Sequence, residues 1–256
     1  MIYAREIKEK ARENGVPEST IERDYVQNWL LKYLSSFDLV LKGGTGIRKV
    51  YIKNYRFSDD LDFTLLEEIE RKELEDKMKE IIFDVKEESG INFFEDLNIE
   101  ENENGFEVIC YFYFLRKSGD PMGIKLDFTN KSREIILLEP KHRKIIHPYS
   151  DNLKFKIRTY PLKEIMAEKI RALFERTRPR DLYDIWYLKK KINIQSIKDL
   201  IYKKCEFKKV NIETSDLEDR KEDFKNAWKN SLKHQLKHVP DFGKIYEEVL
   251  KGVKKL

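Results

Sequence analysis

Asp60 and Asp62 stand two residues apart in the segment Arg56-Phe-Ser-Asp-Asp-Leu-Asp-Phe63, shortly after a glycine turn in Leu41-Lys-Gly-Gly-Thr-Gly46. If Leu61 to Leu65 is a strand, alternation sends both carboxylates to one face, roughly 6.5–7 Å apart, and turns Leu61 and Phe63 into the core. Carboxylates placed this way share divalent cations. Mg²⁺ takes a few of them and fills its shell with phosphate oxygens and water, and a two-metal site activates an attacking hydroxyl and steadies a leaving pyrophosphate. The glycines suit the other half of that chemistry. Phe37 to Leu41 reads as a short strand stopping at Gly43-Gly44, with Thr45 placed to cap a helical turn toward Tyr51. Free N–H groups at a helix start, with no side chains in the way, let a phosphate approach the backbone. Order and close spacing together point to metal-dependent nucleotidyl transfer. Asp59 has the opposite strand phase and reads as a solvent-facing or supporting carboxylate.

A third acid lies in Gly123-Ile-Lys-Leu-Asp-Phe-Thr129, where Ile124, Leu126 and Phe128 make one face and Lys125, Asp127 and Thr129 the other. Beside the first strand, Asp127 would complete a carboxylate triad as a metal ligand or as the base that takes the acceptor hydroxyl's proton. Further on, Leu162, Ile165, Met166, Ile170 and Leu173 fall at helical spacing, which puts Lys169 and Arg176 on a neighbouring stripe. These cations could clamp a triphosphate. They could equally pair with Glu164, Glu168 and Glu175 on a solvated helix face. Asp181 and Asp184, three apart on the next helix, could orient Lys169 or Arg176.

These blocks, Gly43-Gly44-Thr45, Arg56 to Asp62, Leu126-Asp127-Phe128-Thr129, Glu168-Lys169 to Arg176 and Arg180-Asp181-Leu-Tyr-Asp184, resemble the AbiEii/AbiGii toxin family of nucleotidyltransferases and occur in the family's order. The resemblance covers about residues 37–190. It implies an α+β fold, a polymerase-β-like nucleotidyltransferase core with a mixed sheet followed by a helical C-terminal part. By residue, it implies that Gly43, Gly44 and Thr45 form the nucleotide-phosphate turn and that Asp60, Asp62 and Asp127 are the metal-binding acids. It further implies that Lys169 contacts nucleotide phosphate and that either Asp181 or Asp184 is the acid of the last block.

Such residues need a scaffold, and the rest of the chain supplies one. Tyr3 to Asn14 and Glu18 to Leu34 read as helices covering one sheet face, and Glu67 to Glu88 as a charged helix. Phe106 to Leu115 and Ile135 to Leu138 read as strands, with a Ser118-Gly-Asp-Pro121 turn leading into the Asp127 strand. After about residue 160 the pattern is helical, giving an expected catalytic core over residues 1–150 and a helical, basic domain over 151–256 that completes the active site. With 256 residues, 40% of them hydrophobic, the chain can bury one substantial core or two modest ones.

Charge is divided unevenly. Residues 151–256 hold 27 Lys and Arg against 17 Asp and Glu, whereas residues 1–150 hold 24 against 30. An acidic metal-binding half joined to a basic half suits an enzyme acting on a polyanion. Basic clusters at Lys141 to Lys144, Arg176 to Arg180 and Lys189 to Lys191 offer phosphate contacts to an RNA, with Tyr183, Trp186 and Tyr187 nearby. Trp186 itself follows the apolar stripe and reads as core. No apolar run approaches a membrane span, and Met1 to Lys8 lacks the apolar stretch of a signal peptide, so a cytoplasmic location is expected. Cys110 and Cys205 lack metal or redox spacing and read as reduced thiols. His234 and His238 are four apart but have no accompanying Glu or third ligand, so an exposed helix face is expected rather than zinc. His142 and His147 have no nucleophile signature beside them.

The reading that unites these features is a Mg²⁺- or Mn²⁺-dependent nucleotidyltransferase toxin. It would move a nucleotide from an NTP to an acceptor hydroxyl, and by resemblance the acceptor would be RNA, at the tRNA 3′ end, with a cognate antitoxin holding the enzyme in check. Transfer to a small molecule or a protein side chain is the competing enzyme reading. A silent nucleotide-binding module is the non-enzyme one, although all its acids are present.

Overall fold

The computed structural model describes residues 1–115 and 118–256, which fall into two compact units. The first comprises Met1–Glu134 and Pro140–Tyr160, the second Ile135–Glu139 and Pro161–Leu256. The boundary lies later than the expected residue 150 because strand β8 (Lys156–Thr159) pairs with strands β1 (Leu39–Lys42) and β7 (Lys141–Lys144) of the first unit's sheet.

In the first unit, helices α1 (Ala4–Asn14) and α2 (Glu18–Leu34) precede β1, the short helical turn α3 (Gly43–Gly46) and a wider π-helical turn over Ile47–Tyr51. Strand β2 (Leu61–Leu65) and helix α4 (Arg71–Ser89) follow. Strands β3 (Asn92–Phe93), β4 (Asn98–Asn102), β5 (Gly105–Tyr113) and β6 (Met122–Thr129) complete the run. Among the described residues the sheet has eight strands in the order β3-β5-β6-β2-β1-β8-β7, with β4 sharing β5's outer edge with β3. It is mixed: β2 runs parallel to β6, while β1 and β5 run antiparallel to β2 and β6 respectively.

Alternation along these strands separates core from chemistry. Leu39 and Leu41, Leu61, Phe63 and Leu65, Ile124, Leu126 and Phe128, and Phe106, Val108, Cys110 and Phe112 are buried in one cluster with Leu30, Leu34, Leu74, Met78 and Val85 from α2 and α4. The opposite face carries Lys42, Asp62, Lys125, Asp127 and Glu107, all half-buried. Helix α2 is buried on nearly every side, and it therefore brings polar groups inward as well. Asp24 accepts from Arg48 Nε at 2.6 Å and Lys49 Nζ at 2.8 Å, and Tyr149 donates to its second oxygen at 2.7 Å. Burial would raise the Asp24 pKa, but the two cations hold it well below the usual carboxylate range.

The second unit packs α5 (Leu162–Glu175), α6 (Pro179–Leu188), α7 (Lys198–Lys208), α8 (Thr214–Asp219), α9 (Lys221–Leu232) and α10 (Phe242–Val253). Ile135 to Leu138 is not the strand its apolar run suggested. The N–H groups of Leu137 and Leu138 donate to the buried Glu164 carboxylate, each at 2.8 Å, so no ladder is needed to satisfy them. His234 and His238 do not share a helix, because α9 ends at Leu232. Trp186 is half-buried, its Nε1–H donating to Glu248 at 3.1 Å with Lys190 Nζ 3.6 Å from the ring centroid. Cys110 and Cys205 are buried free thiols. No helix among the described residues is long and apolar enough to cross a membrane.

Candidate active site

Parallel pairing of β2 with β6 puts Asp62 directly opposite Asp127, at the ~4.8 Å spacing of neighbouring strands. Asp60 lies just before β2. The electrostatics report the same grouping. The Asp127 carboxyl is pushed up to about 6, first by burial and then by the negative charge of Asp62 and, less strongly, Asp60, against the opposing pull of Lys125. That lysine, two residues back on β6, places Nζ 3.1 Å from Asp127 Oδ1 and 2.7 Å from Glu107 Oε2. Glu107 is Asp127's partner across the β5–β6 ladder. Lys125 thus balances part of the charge that crowding carboxylates on one sheet face creates.

The glycine turn adjoins these acids. Gly43 has φ +67°, and a Cβ there would fall 2.0 Å from Asp62 Oδ2, so any side chain is excluded both by backbone conformation and by space. A Cβ on Gly44 would meet Arg56 Nη2 at 2.6 Å and Ser58 Oγ at 3.0 Å. Thr45 does not cap a helix. It sits inside α3, and its hydroxyl donates to the Asp60 carbonyl, tying the turn to the strand that carries the acids. The structure therefore brings together Gly43, Gly44, Thr45, Asp60, Asp62 and Asp127 within one unit.

Several supporting residues escaped the sequence reading. Arg23 of α2 donates to Asp59 Oδ1 at 3.2 Å and to the Gly123 carbonyl at 3.3 Å. Gln27, fully buried one turn later, donates Nε2 to the carbonyls of Ser58 and Asp59, each at 3.0 Å. Asp59 is thus a clamp point for the loop that aims Asp60 rather than a solvent-facing acid. The available signal was weak: Arg23 and Gln27 are four residues apart on one face of α2, but Glu22, Asp24 and Asn28 make that stretch polar all round.

In the second unit, Lys169 Nζ lies 2.6 Å from Asp181 Oδ1 and 3.0 Å from Asp184 Oδ2, and Arg176 Nε lies 3.0 Å from Asp181 Oδ2. Both carboxylates are buried. Burial would raise the Asp181 pKa, yet Lys169 and Arg176 hold it far below the ordinary range. The solvated-face reading of this helix fails: Glu164 and Glu168 bind the fully buried Lys204 at 3.0 and 3.1 Å, and Glu175 pairs with Arg171 at 3.2 Å. Both candidate acids of the last block engage Lys169, so the pair acts as one cradle.

Among the described residues no group of three or more His, Cys, Asp or Glu side chains is disposed to hold a metal ion. The cross-strand carboxylates Asp62 and Asp127 on an open face nevertheless offer the oxygen chemistry of a hard divalent cation that takes one or two carboxylates and keeps water and phosphate in its shell. The sequence profile of the AbiEii family, described as a nucleotidyl transferase toxin of type IV toxin–antitoxin systems, matches residues 30–250. The chain belongs to the AbiEii family. It is accordingly a nucleotidyltransferase of the toxin class, and that class implies a nucleotide substrate and an antitoxin partner. Two solved structures share the AbiEii chain's fold. MenT4, a nucleotidyltransferase toxin from Mycobacterium tuberculosis, superposes with a TM-score of 0.68 at 18% identity over 100% of this chain and 91% of that one. JHP933 from Helicobacter pylori superposes with a TM-score of 0.61 at 20% identity over 94% of this chain and 92% of that one. No curated protein matches the chain in sequence.

Proposed function

We propose that this toxin transfers a nucleotide from an NTP to the 3′ hydroxyl of an RNA, with the tRNA 3′ end as acceptor, and releases pyrophosphate. The observation that carries the reading is the cross-strand pair Asp62–Asp127 set against the Gly43–Gly44 turn. A divalent cation, Mg²⁺ or Mn²⁺, held by Asp60, Asp62 and Asp127, would neutralise triphosphate charge and lower the pKa of the attacking hydroxyl.

The chain's own groups do the rest. Gly43 and Gly44 present backbone without side chains, so phosphate oxygens can approach beside Asp62. The Thr45 hydroxyl fixes the Asp60 carbonyl and keeps turn and acids in register. Asp127, opposite Asp62 on the neighbouring strand, is placed either to ligate the cation or to take the acceptor's proton as the hydroxyl oxygen bonds to the α-phosphorus and the bond to pyrophosphate breaks. In the second unit Asp181 and Asp184 hold the ammonium of Lys169, the residue that the family resemblance makes a phosphate contact. Support for RNA as acceptor comes from the excess of cations over acids in residues 151–256.

The test incubates purified protein with Mg²⁺, each labelled NTP in turn and total tRNA, beside an Asp60→Ala/Asp62→Ala control. The expected result is label on RNA with the intact protein only. Equal transfer by the control would remove the carboxylate assignment, and label on protein or a small molecule instead would remove RNA.

A further inference from the structure

The face of the sheet that carries Asp127 continues outward along β5. With Phe106, Val108, Cys110 and Phe112 buried on the core side, alternation turns Glu107, Ile109, Tyr111 and Tyr113 to the side of the carboxylates. Tyr111 lies opposite Gly123, and its ring occupies the space that a side chain there would take: a Cβ on Gly123 would sit 3.4 Å from Tyr111 Cε1. Phe94 follows β3, donates its N–H to the Tyr111 carbonyl at 2.9 Å, and lies with its ring 5.3 Å from that of Tyr113. Its side chain is 38% exposed, in contrast to the buried Phe93 beside it. Phe94, Tyr111, Leu97 and Pro121 line an open cleft of about 410 Å³, and Asp96 and Asn98 give it a polar edge.

We propose that this cleft receives an unpaired base of the acceptor RNA, stacked on Tyr111 and Phe94. The assignment rests on the RNA-acceptor reading above. Sequence-tolerant binding of single strands uses aromatic rings as stacking platforms, and an open sheet face is a recurrent scaffold for them. Position favours a base over any other occupant. Tyr111 pairs with Gly123, four residues along β6 from Asp127, a distance of ~13 Å at strand rise. A strand whose 3′ end reaches the carboxylates passes this cleft with its preceding nucleotides. The polar edge matches the hydrogen-bonding rim of a base.

The decisive measurement is fluorescence anisotropy of a labelled single-stranded oligoribonucleotide with a free 3′ hydroxyl, titrated with the protein and with its Asp60→Ala/Asp62→Ala form. Tyr111→Ala and Phe94→Ala should each weaken binding about tenfold, and Tyr111→Phe, which keeps the ring, should stay within about twofold. In the transfer assay the two alanine variants should raise KM for RNA and leave KM for NTP unchanged. Unchanged affinity in both alanine variants, or an intact protein that does not bind the oligonucleotide, overturns the cleft. The two readings fail separately: binding that depends on Tyr111 without any transfer to RNA sinks the acceptor reaction alone, whereas transfer that ignores both rings sinks the cleft alone.

Discussion

Asp127 shows what it costs to gather acids on one sheet face. Its usual value of 3.8 is raised to about 6, foremost by burial and then by Asp62, with Lys125 countering. A carboxyl whose pKa is higher folded than unfolded binds its proton more tightly in the native state. Its ionisation therefore removes stability as pH rises from about 4 through about 6, and the loss is complete above that window. Two units correspond to about 3 kcal/mol. The side chain is 33% exposed, so solvent screening trims this to about 1–2 kcal/mol. Asp127→Asn, which mimics the neutral form, should raise the Tm of the metal-free protein near neutral pH, change it little near pH 4, and abolish transfer. Melting curves in chelator at the two pH values check this. Equal Tm at neutral pH would mean that Lys125 already offsets the whole penalty.

The α5–α6 pair illustrates what local sequence can and cannot announce about an element. Lys169 and Arg176 were visible as cations on one stripe and Asp181 and Asp184 as acids able to orient them, but not that Asp181 meets both cations at once. The competing partners, Glu164 and Glu168, are taken by Lys204, some forty residues away, a pairing that no helical spacing encodes. Removing Lys169 takes away the cation that faces both buried carboxylates and leaves Arg176 at Asp181, so Lys169→Ala should cost about 3–5 kcal/mol in chemical denaturation. A loss below about 1 kcal/mol would return Lys169 to the class of exposed ion pairs. Elsewhere legibility followed burial. Strand β2 was readable because apolar and polar residues alternate along it, and helix α2 from the start signal at Pro17-Glu18-Ser19-Thr20. Strand β7 was not, because Lys141, His142, Arg143 and Lys144 are all exposed on a sheet edge and carry charge instead of a pattern. Ile135 to Leu138 misled in the opposite sense, as an apolar run whose N–H groups are satisfied by a carboxylate. The glycine turn was legible in type, but the reason Gly43 admits no side chain, Asp62 against its backbone, is purely tertiary.

Across the whole chain, the acids of residues 1–150 and the cations of residues 151–256 set opposite signs on the two ends of the sequence. Polyanion affinity drawn from such a distribution depends on salt through the number of phosphates each cation neutralises. Not every Arg in the basic run is equally suited to that role. Arg176, although exposed, is tied to the buried Asp181 at 3.0 Å, whereas Arg178, which precedes α6 at its N-cap, is exposed, and Arg180, also engaged within the protein, is half-exposed. Arg178→Gln/Arg180→Gln should therefore lower the slope of log K against log salt for single-stranded RNA by about 1.4, at about 0.7 per phosphate contact. Lys141→Gln/Lys144→Gln, on the exposed edge strand, should leave the slope within about 0.3 of the intact protein's if the RNA backbone runs past the α6 cluster. Titrations at several salt concentrations decide between the two. A slope that falls with the β7 pair and holds with the Arg pair would place the RNA backbone along the sheet edge, and the basic run before α6 would then be a solvated surface.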